Sequence, residues 1–434
     1  MQGLSPQLTE NLMTKIYIVL ITITFTLNAI ALKSMERDFF NDTIDQVSKT
    51  VDLVTDYGAN GTDAKDDSAA LQKAIDEMTA TSRGGKICIP SGIYYVSGVA
   101  IKSNVHLELD KGTTIRPENE SGAVFSIGAN SAAVSNVSVR CKTGEAGDRF
   151  AVDLSAVKPS VSATAVMAQN VDNFLISDIN VVETSTVHSA LRFNMATYNG
   201  DYFFPRNGVV KNVDDFGAHN GYGTVQVGGG THILFDNITG TGGVTLRLES
   251  GSGGLKAVSG SMFDIVGRNI TCTNGLAAVM ISPHAMKNGT VDIDGVFSDS
   301  CRSAVRIDRG DTRNGSSPGH FAADSVVKNV TAVYGTNAQL KFGSCKWVPV
   351  ELRDQISAGL NPDGISYSGP ACCAVIYTAF GEEEGHFHVT VTNVNQVGFD
   401  YQPQKIMFEA DAVPYRRRPD QAKGSKSKNE KKKK

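Results

Sequence analysis

Several kinds of sequence signal are scarce in this chain, and each scarcity removes a class of protein. The seven cysteines are odd in number and include no CxxC spacing, so neither a structural zinc centre nor a complete disulfide framework specifies the fold. Charged residues make up 20% of the 434 positions and aromatic residues 7%, with one tryptophan. Few stretches carry a helical apolar period, which argues against a bundle or a doubly wound sheet. No nucleotide-binding glycine loop, nucleophile elbow or metalloprotease helix occurs. Gly228-Gly-Gly230 is followed by neither a helical pattern nor a Lys-Ser/Thr pair and reads as a turn.

Glycine is abundant, with 43 residues, as expected of a chain with many tight turns. Short alternating runs recur about every 25 or 35 residues: Thr224–Val227, Val244–Glu249, Val279–Ile281, Val305–Ile307 and Thr336–Phe342. A second set accompanies them at Ile233–Ile238, Val266–Ile270, Val291–Val296 and Val326–Val330. This periodicity predicts an all-β solenoid. Strands of successive coils stack in parallel about 4.8 Å apart, so one outward position per coil becomes a column. Gln226, Arg247, Glu249, Ser282, His284, Arg306, Asp308 and Lys341 are expected on one wall. Carboxylates, an imidazole, an amide and cations there suit an anionic sugar chain. Taken singly, each has a plainer reading: Glu249 as an ion pair with Arg247 or Arg306, His284 as a turn residue after Pro283, Gln226 in an amide ladder.

The remaining organisation follows from composition. Residues 1–31 have the layout of a secretory signal, with Lys15, the apolar run Ile16–Leu27 and Ala29-Ile-Ala31. A polar lead-in covers 32–49 and the solenoid 50–410, with insertions near 309–320 and 345–372. The tail 411–434 is basic. From Lys423 onward it holds seven lysines and one glutamate, or +6, so the formal net charge of −4 leaves −10 on the rest. Cys272 and Cys301 are expected on adjacent coils, and Cys345 within reach of Cys372 or Cys373. Of nine Asn-x-Ser/Thr triplets, those in strand-like runs, such as Asn237 and Asn329, are expected to mark coil corners. The protein is expected to be secreted and monomeric, with no nucleic-acid partner and no membrane partner after signal cleavage. No cofactor or catalytic metal is required, which leaves room for a structural or site-bound ion.

The segment from Val54 to Gly112 includes the helix-like Ala69–Ile75, Gly84-Gly-Lys-Ile-Cys-Ile-Pro90 and Val105-His-Leu-Glu-Leu-Asp110. It resembles the N-terminal cap and first coils of the pectate-lyase-like right-handed parallel β-helices. That resemblance implies the handedness and a short capping helix, with Asp66 or Asp67 as its N-cap. Further on, Gly242-Gly-Val-Thr-Leu-Arg-Leu-Glu249, Ile281-Ser-Pro-His-Ala285 and Asn288-Gly-Thr-Val-Asp292, together with Gln226, resemble the catalytic region of the iota-carrageenase family. The resemblance implies inverting hydrolysis of a sulfated galactan. Glu249 then matches the general acid, Gln226 a residue that positions water, and His284 a residue lining the site. Arg247, Arg306 and Lys341 are expected to bind the anionic substrate. The family's base, an aspartate two residues after the acid, corresponds to Gly251 here, and Asp308 is the expected substitute. Two other functions stay open: a catalytically silent glycan-binding β-helix, and a calcium-dependent polysaccharide lyase drawing on Asp292 and Asp294.

Overall fold

A computed structural model describes residues 35–117, 121–142, 145, 147–159, 161–250, 257–313, 315 and 317–416. The signal-like segment, Gly251 and the lysine-rich end from residue 417 lie outside the described residues. Strands of the main sheet pair in parallel from coil to coil, with 22 of them joined in one continuous sheet. This is the parallel β-helix expected from the repeat.

The register explains the sequence pattern. Leu191, Val225, Leu246, Val279, Val305, Val375 and Ile406 pair in succession, and all but the partly buried Ile406 are fully buried. Like side chains therefore stack on like through the core, each burial contributing about 1.5–3 kcal/mol. The positions directly after them form a second column, Arg192, Gln226, Arg247, Met280, Arg306 and Ile376, which faces outward.

The helix Ser68–Thr79 covers the open end of the stack through Leu71, Ala74, Ile75 and Met78. Its cap differs from the simplest expectation. Asp67 occupies the N-cap position without capping and instead accepts from the Asn60 amide at 2.9 Å, while Asp66 accepts from Ser68 N at 2.8 Å. A second, short helix, Leu53–Tyr57, is capped by Asp52 through the amides of Val54 and Thr55.

Asparagines turn the coil corners. Asn136, Asn173, Asn237, Asn269 and Asn329 adopt φ between 54 and 60°, a left-handed conformation that asparagine tolerates better than other side chains. Their amides donate to the preceding coil, as in Asn173 Nδ2 to Asn136 Oδ1 at 2.9 Å and Asn237 Nδ2 to Asn212 Oδ1 at 2.7 Å. The triplets at Asn136, Asn237, Asn269 and Asn329 thus use the very nitrogen that a glycan would require.

Two expectations need correction. Ala338–Leu340, read as a coil strand, pairs antiparallel with Tyr367–Gly369, and Ser303–Ile307 is followed in the stack by Val375–Tyr377. Lys341 therefore stands on an insertion and not on the coil ladder. That insertion is a small packed unit, with Leu340, Cys345, Trp347, Leu352 and Cys372 in a core of their own. The lead-in is not merely polar either, because Phe39 and Phe40 bury against Leu175, Val209, Leu234 and Val266 on the outside of the sheet. Cys272 and Cys301 are neighbours, with Cys301 Sγ 3.3 Å from the Cys272 carbonyl, yet all seven cysteines are free thiols. Among the described residues no helix is long and apolar enough to cross a membrane.

Candidate active site

Glu249 ends the strand Gly230–Glu249 on the outward face, with its side chain 15% exposed. Arg247, two residues earlier on the same face, grips one carboxylate oxygen through Nε at 2.8 Å and Nη2 at 2.5 Å. His284 meets the other oxygen with Nε2 at 3.3 Å. This histidine has φ 47° in the turn after Ala277–Ser282. Its carbonyl accepts from the amides of Asp311 and Gly319, so the loop that follows Ile307 holds the turn in place. The far ring nitrogen, Nδ1, stands 3.1 Å from Asp311 Oδ2, and Arg313 N donates to the other Asp311 oxygen at 2.7 Å. A continuous chain therefore runs Asp311, His284, Glu249, Arg247.

Electrostatics follow from that chain. Burial alone would raise the Glu249 pKa, but the His284 hydrogen bond and the Arg247 charge outweigh it and hold the carboxyl down to about 2. For His284, burial pulls the imidazole down while Glu249 and Asp311 push harder the other way, and the net shift is upward. Asp311 is lowered: burial opposes this, and the Arg313 amide and His284 overcome it. The arrangement favours an imidazolium between two carboxylates.

Around Glu249 a cleft of about 370 Å³ is lined by His188, Arg192, Asn194, Tyr222, Gln226, Arg247, His284 and Arg313. Tyr222 lies beneath the Arg247 guanidinium at 5.6 Å and meets the rings of His188 and His219 at 5.4 and 5.3 Å. Gln226 and Arg247 are direct register partners, so Gln226, Arg247, Glu249 and His284 share one site. Asp308, Arg306 and Lys341 do not join them. They line a neighbouring cleft of about 410 Å³ with Arg302, Lys346 and Trp347. There Arg306 Nε holds Asp308 Oδ1 at 2.7 Å, repeating the Arg247–Glu249 arrangement two coils on. Burial, then the charges of Arg247 and Arg306, lower the Lys341 pKa.

Arg192, His188, Tyr222, Asp311 and Arg313 were not anticipated from sequence. Arg192 had a signal: Leu191-Arg-Phe193 repeats the apolar-Arg-apolar triplet of Leu246-Arg-Leu248 and Val305-Arg-Ile307. Asp311 and Arg313 had none, since they sit in a loop without periodicity. The calcium expectation for Asp292 and Asp294 loses its donors. Asp292 is engaged by Arg268 at 3.2 and 3.0 Å, and Lys328 stands 3.7 Å from Asp292 and 3.6 Å from Asp294.

Residues 53–312 match the family described as rhamnogalacturonase A/epimerase, pectate lyase-like. The chain is 32% identical to an iota-carrageenase of Zobellia galactanivorans, across 80% of this chain and 82% of that protein. It is 30% identical to an iota-carrageenase of Alteromonas macleodii, across 82% and 85%. A solved iota-carrageenase complexed to iota-carrageenan fragments superposes with a TM-score of 0.79 at 28% identity, covering 88% of this chain and 95% of that one. The repeat, the parallel coils and the similarity along most of the length agree: the chain belongs to the iota-carrageenase family, on the pectate-lyase-like β-helix.

Proposed function

We propose that this protein hydrolyses a sulfated galactan of the iota-carrageenan type with inversion, using Glu249 as the proton donor. The observation that carries the reading is the Glu249 carboxylate, buried at the floor of a cation-lined cleft between Arg247 and His284. A general acid must be protonated when it acts, and in the free cleft this one is ionised. Substrate resolves the conflict. A sulfate entering the cleft competes for Arg247, and with the guanidinium drawn away one of the two partners that hold Glu249 down is lost and its pKa rises. His284, 3.3 Å away, then supplies the proton that Glu249 passes to the leaving glycosidic oxygen as the bond to the anomeric carbon breaks.

The second half of the reaction needs a base to take a proton from the attacking water. An inverting pair is separated by about 6.5–9.5 Å. Asp308, the substitute expected from sequence, lies two coils beyond Glu249, about 9.6 Å of strand spacing, but it is bound to Arg306 in the neighbouring cleft. Asp311 touches the far nitrogen of the imidazole that meets Glu249, on the loop that also brings Arg313 to the cleft, and its carboxyl is held below the usual range. We assign the base role to Asp311. Its contact with His284 also gives the captured proton a route back to the acid, which closes the cycle. Gln226 orients the water, and Arg247, Arg306 and Lys341 bind sulfates, with Arg192 as an additional cation. The apolar run near the N-terminus and a polymeric substrate together support action outside the cell.

One observation favours a second reading, a silent glycan-binding relative: Gly251 has no side chain to act as base. Reducing-end release from iota-carrageenan by the wild type beside Glu249→Gln, with polymer binding measured in parallel, separates the two. Release that depends on Glu249 establishes the hydrolase, and binding without release establishes the silent form.

A further inference from the structure

The second cleft carries more positive charge than its own acids balance. Arg306 Nε holds Asp308 and Lys346 Nζ holds Glu409, each at 2.7 Å, and these are the two acids of its lining. That leaves Arg302 and Lys341 without an ion-pair partner among the described residues. Arg302 is 3% exposed. Its Nη1 donates to the Ser344 hydroxyl at 3.2 Å, while Nε and Nη2 have no hydrogen-bond partner. Burial, with the neighbouring Arg306 charge, pulls its pKa down to about 10. A buried guanidinium short of partners strengthens the pull of this wall on an anion.

The last described stretch of the chain runs along the rim of this cleft. Glu409 belongs to the lining. Four residues on, Val413 N donates to the Lys346 carbonyl at 3.0 Å, and Arg353 donates through Nη2 and Nη1 to the carbonyls of Val413 and Pro414 at 2.7 and 3.0 Å. The Tyr415 ring packs against Phe342 at 5.7 Å and under the Arg353 guanidinium at 5.5 Å. The chain is thus fixed as far as Tyr415 on the side of the cleft that the insertion supplies. Residues 417–434, outside the described residues, follow at once with two arginines and seven lysines against one aspartate and one glutamate. Their formal charge is +7, and with −4 for the whole chain the remainder carries −11.

Charge decides what can join the two. A basic segment is repelled by a cleft that already lacks acid, and a body of net charge −11 repels a polyanion at a distance. A sulfated chain held in the cleft presents its remaining sulfates to the segment as well. We propose that residues 417–434 bind the sulfated polymer where it leaves the second cleft, so that the solenoid wall and the basic segment grip one polymer together. These 18 residues reach at most about 60 Å from their anchor, which makes the second contact intramolecular and keeps its lysines concentrated near the cleft. The contact is made by charge, so salt screens it. The proposal rests on the reading that a sulfated galactan occupies the clefts, and it holds whether or not that galactan is cut.

The test uses the full chain carrying Glu249→Gln, which leaves the polymer uncut, beside the same protein ended after Arg416, with Kd for iota-carrageenan measured at low and at high NaCl. We expect loss of residues 417–434 to weaken binding at low salt by about tenfold or more, to flatten the dependence on NaCl, and to leave Tm unchanged. Replacing Lys423, Lys426, Lys428 and Lys431 to Lys434 with serine in the intact chain should have the same effect, since charge carries the contact. Equal Kd for the tailed and shortened forms overturns the proposal and leaves the clefts as the whole binding surface. Absence of binding by either form removes the sulfated galactan as ligand, and the proposal falls with that reading. Retention of phosphatidylserine vesicles or of duplex DNA that depends on the segment, with Kd for iota-carrageenan independent of it, overturns the proposal by giving the segment another partner.

Discussion

Replacing Glu249 with glutamine keeps the shape of the side chain and removes both its charge and its proton. Two effects follow, and they are separable. The first is catalytic: removal of the proton donor lowers reducing-end release by about 10² to 10⁴-fold at neutral pH. The second concerns acid stability. In the fold the Glu249 carboxyl is held to about 2 from an ordinary value of 4.5. Between those two values the unfolded chain binds a proton that the folded chain does not, so stability is fully present above pH 4.5 and is lost as pH falls toward 2. At about 1.4 kcal/mol per unit this group's share is roughly 3 kcal/mol. The discount for solvent screening is small because the side chain is 15% exposed. Urea unfolding of wild type and Glu249→Gln at several pH values between 7 and 2.5 should therefore show wild type losing roughly 2.5 kcal/mol more than the variant on acidification, the remainder of the share going only below the folded pKa. At pH 7 the variant should already be weaker, since Arg247 keeps its largely buried position without a counter-charge. Parallel pH profiles for the two proteins would refute the account of Glu249 as a carboxylate held ionised by its neighbours. Activity within tenfold of wild type would refute its role as the acid.

Further predictions address the base, the cations and the core. Asp311→Asn should lower turnover by about 10² to 10⁴-fold, whereas Asp308→Asn should change it by less than about tenfold; initial rates on the polymer decide, and the reverse order would return the base to Asp308. Arg306→Ala should raise KM with little change in kcat, since a lost charge-assisted hydrogen bond amounts to about 1.5–3 kcal/mol; a fall in kcat alone would show that Arg306 acts on the chemistry instead. Gly208→Ala should destabilise by about 1–3 kcal/mol through overpacking, because a Cβ there would stand 2.1 Å from the Phe174 ring; an unchanged urea midpoint would show that the ring can yield.

How much of this was legible beforehand depended on periodicity. Leu246, Val279 and Val305 announce their stack because a solenoid core asks the same of every coil, and the repeat exposes it. Arg247, Glu249 and Arg306 were legible for the same reason, as outward partners of a readable inward set. Lys341 was misplaced because Ala338–Leu340 alternates like a coil strand while pairing in a local hairpin, and alternation reports a half-buried strand without naming its partner. Asp311 was invisible because its position depends on backbone bonds from a loop to the His284 carbonyl, which leave no periodic trace.

If the proposed function holds, the two clefts illustrate how a repeat can make one site reactive and leave its neighbour a binding surface. Arg247 with Glu249 and Arg306 with Asp308 are the same arrangement, an arginine and an acid two residues apart on one strand face. They stand two coils apart, about 9.6 Å of strand spacing, so a polyanion lying along the solenoid meets equivalent cations in succession. What distinguishes Glu249 is His284, which touches its free oxygen and has no counterpart among the residues lining the second cleft. The imidazole in turn depends on Asp311 and on loop amides. On the proposed reading, the coils supply charge at a fixed spacing and the irregular segments between them supply the proton. Loss of an acid at position 251 then removes one base from a site whose remaining proton path runs through the 309–320 loop, and transplanting that loop between relatives should move the pH profile of turnover more than its affinity for the polymer. A loop exchange that changes affinity and leaves the pH profile intact would show that the proton path lies elsewhere.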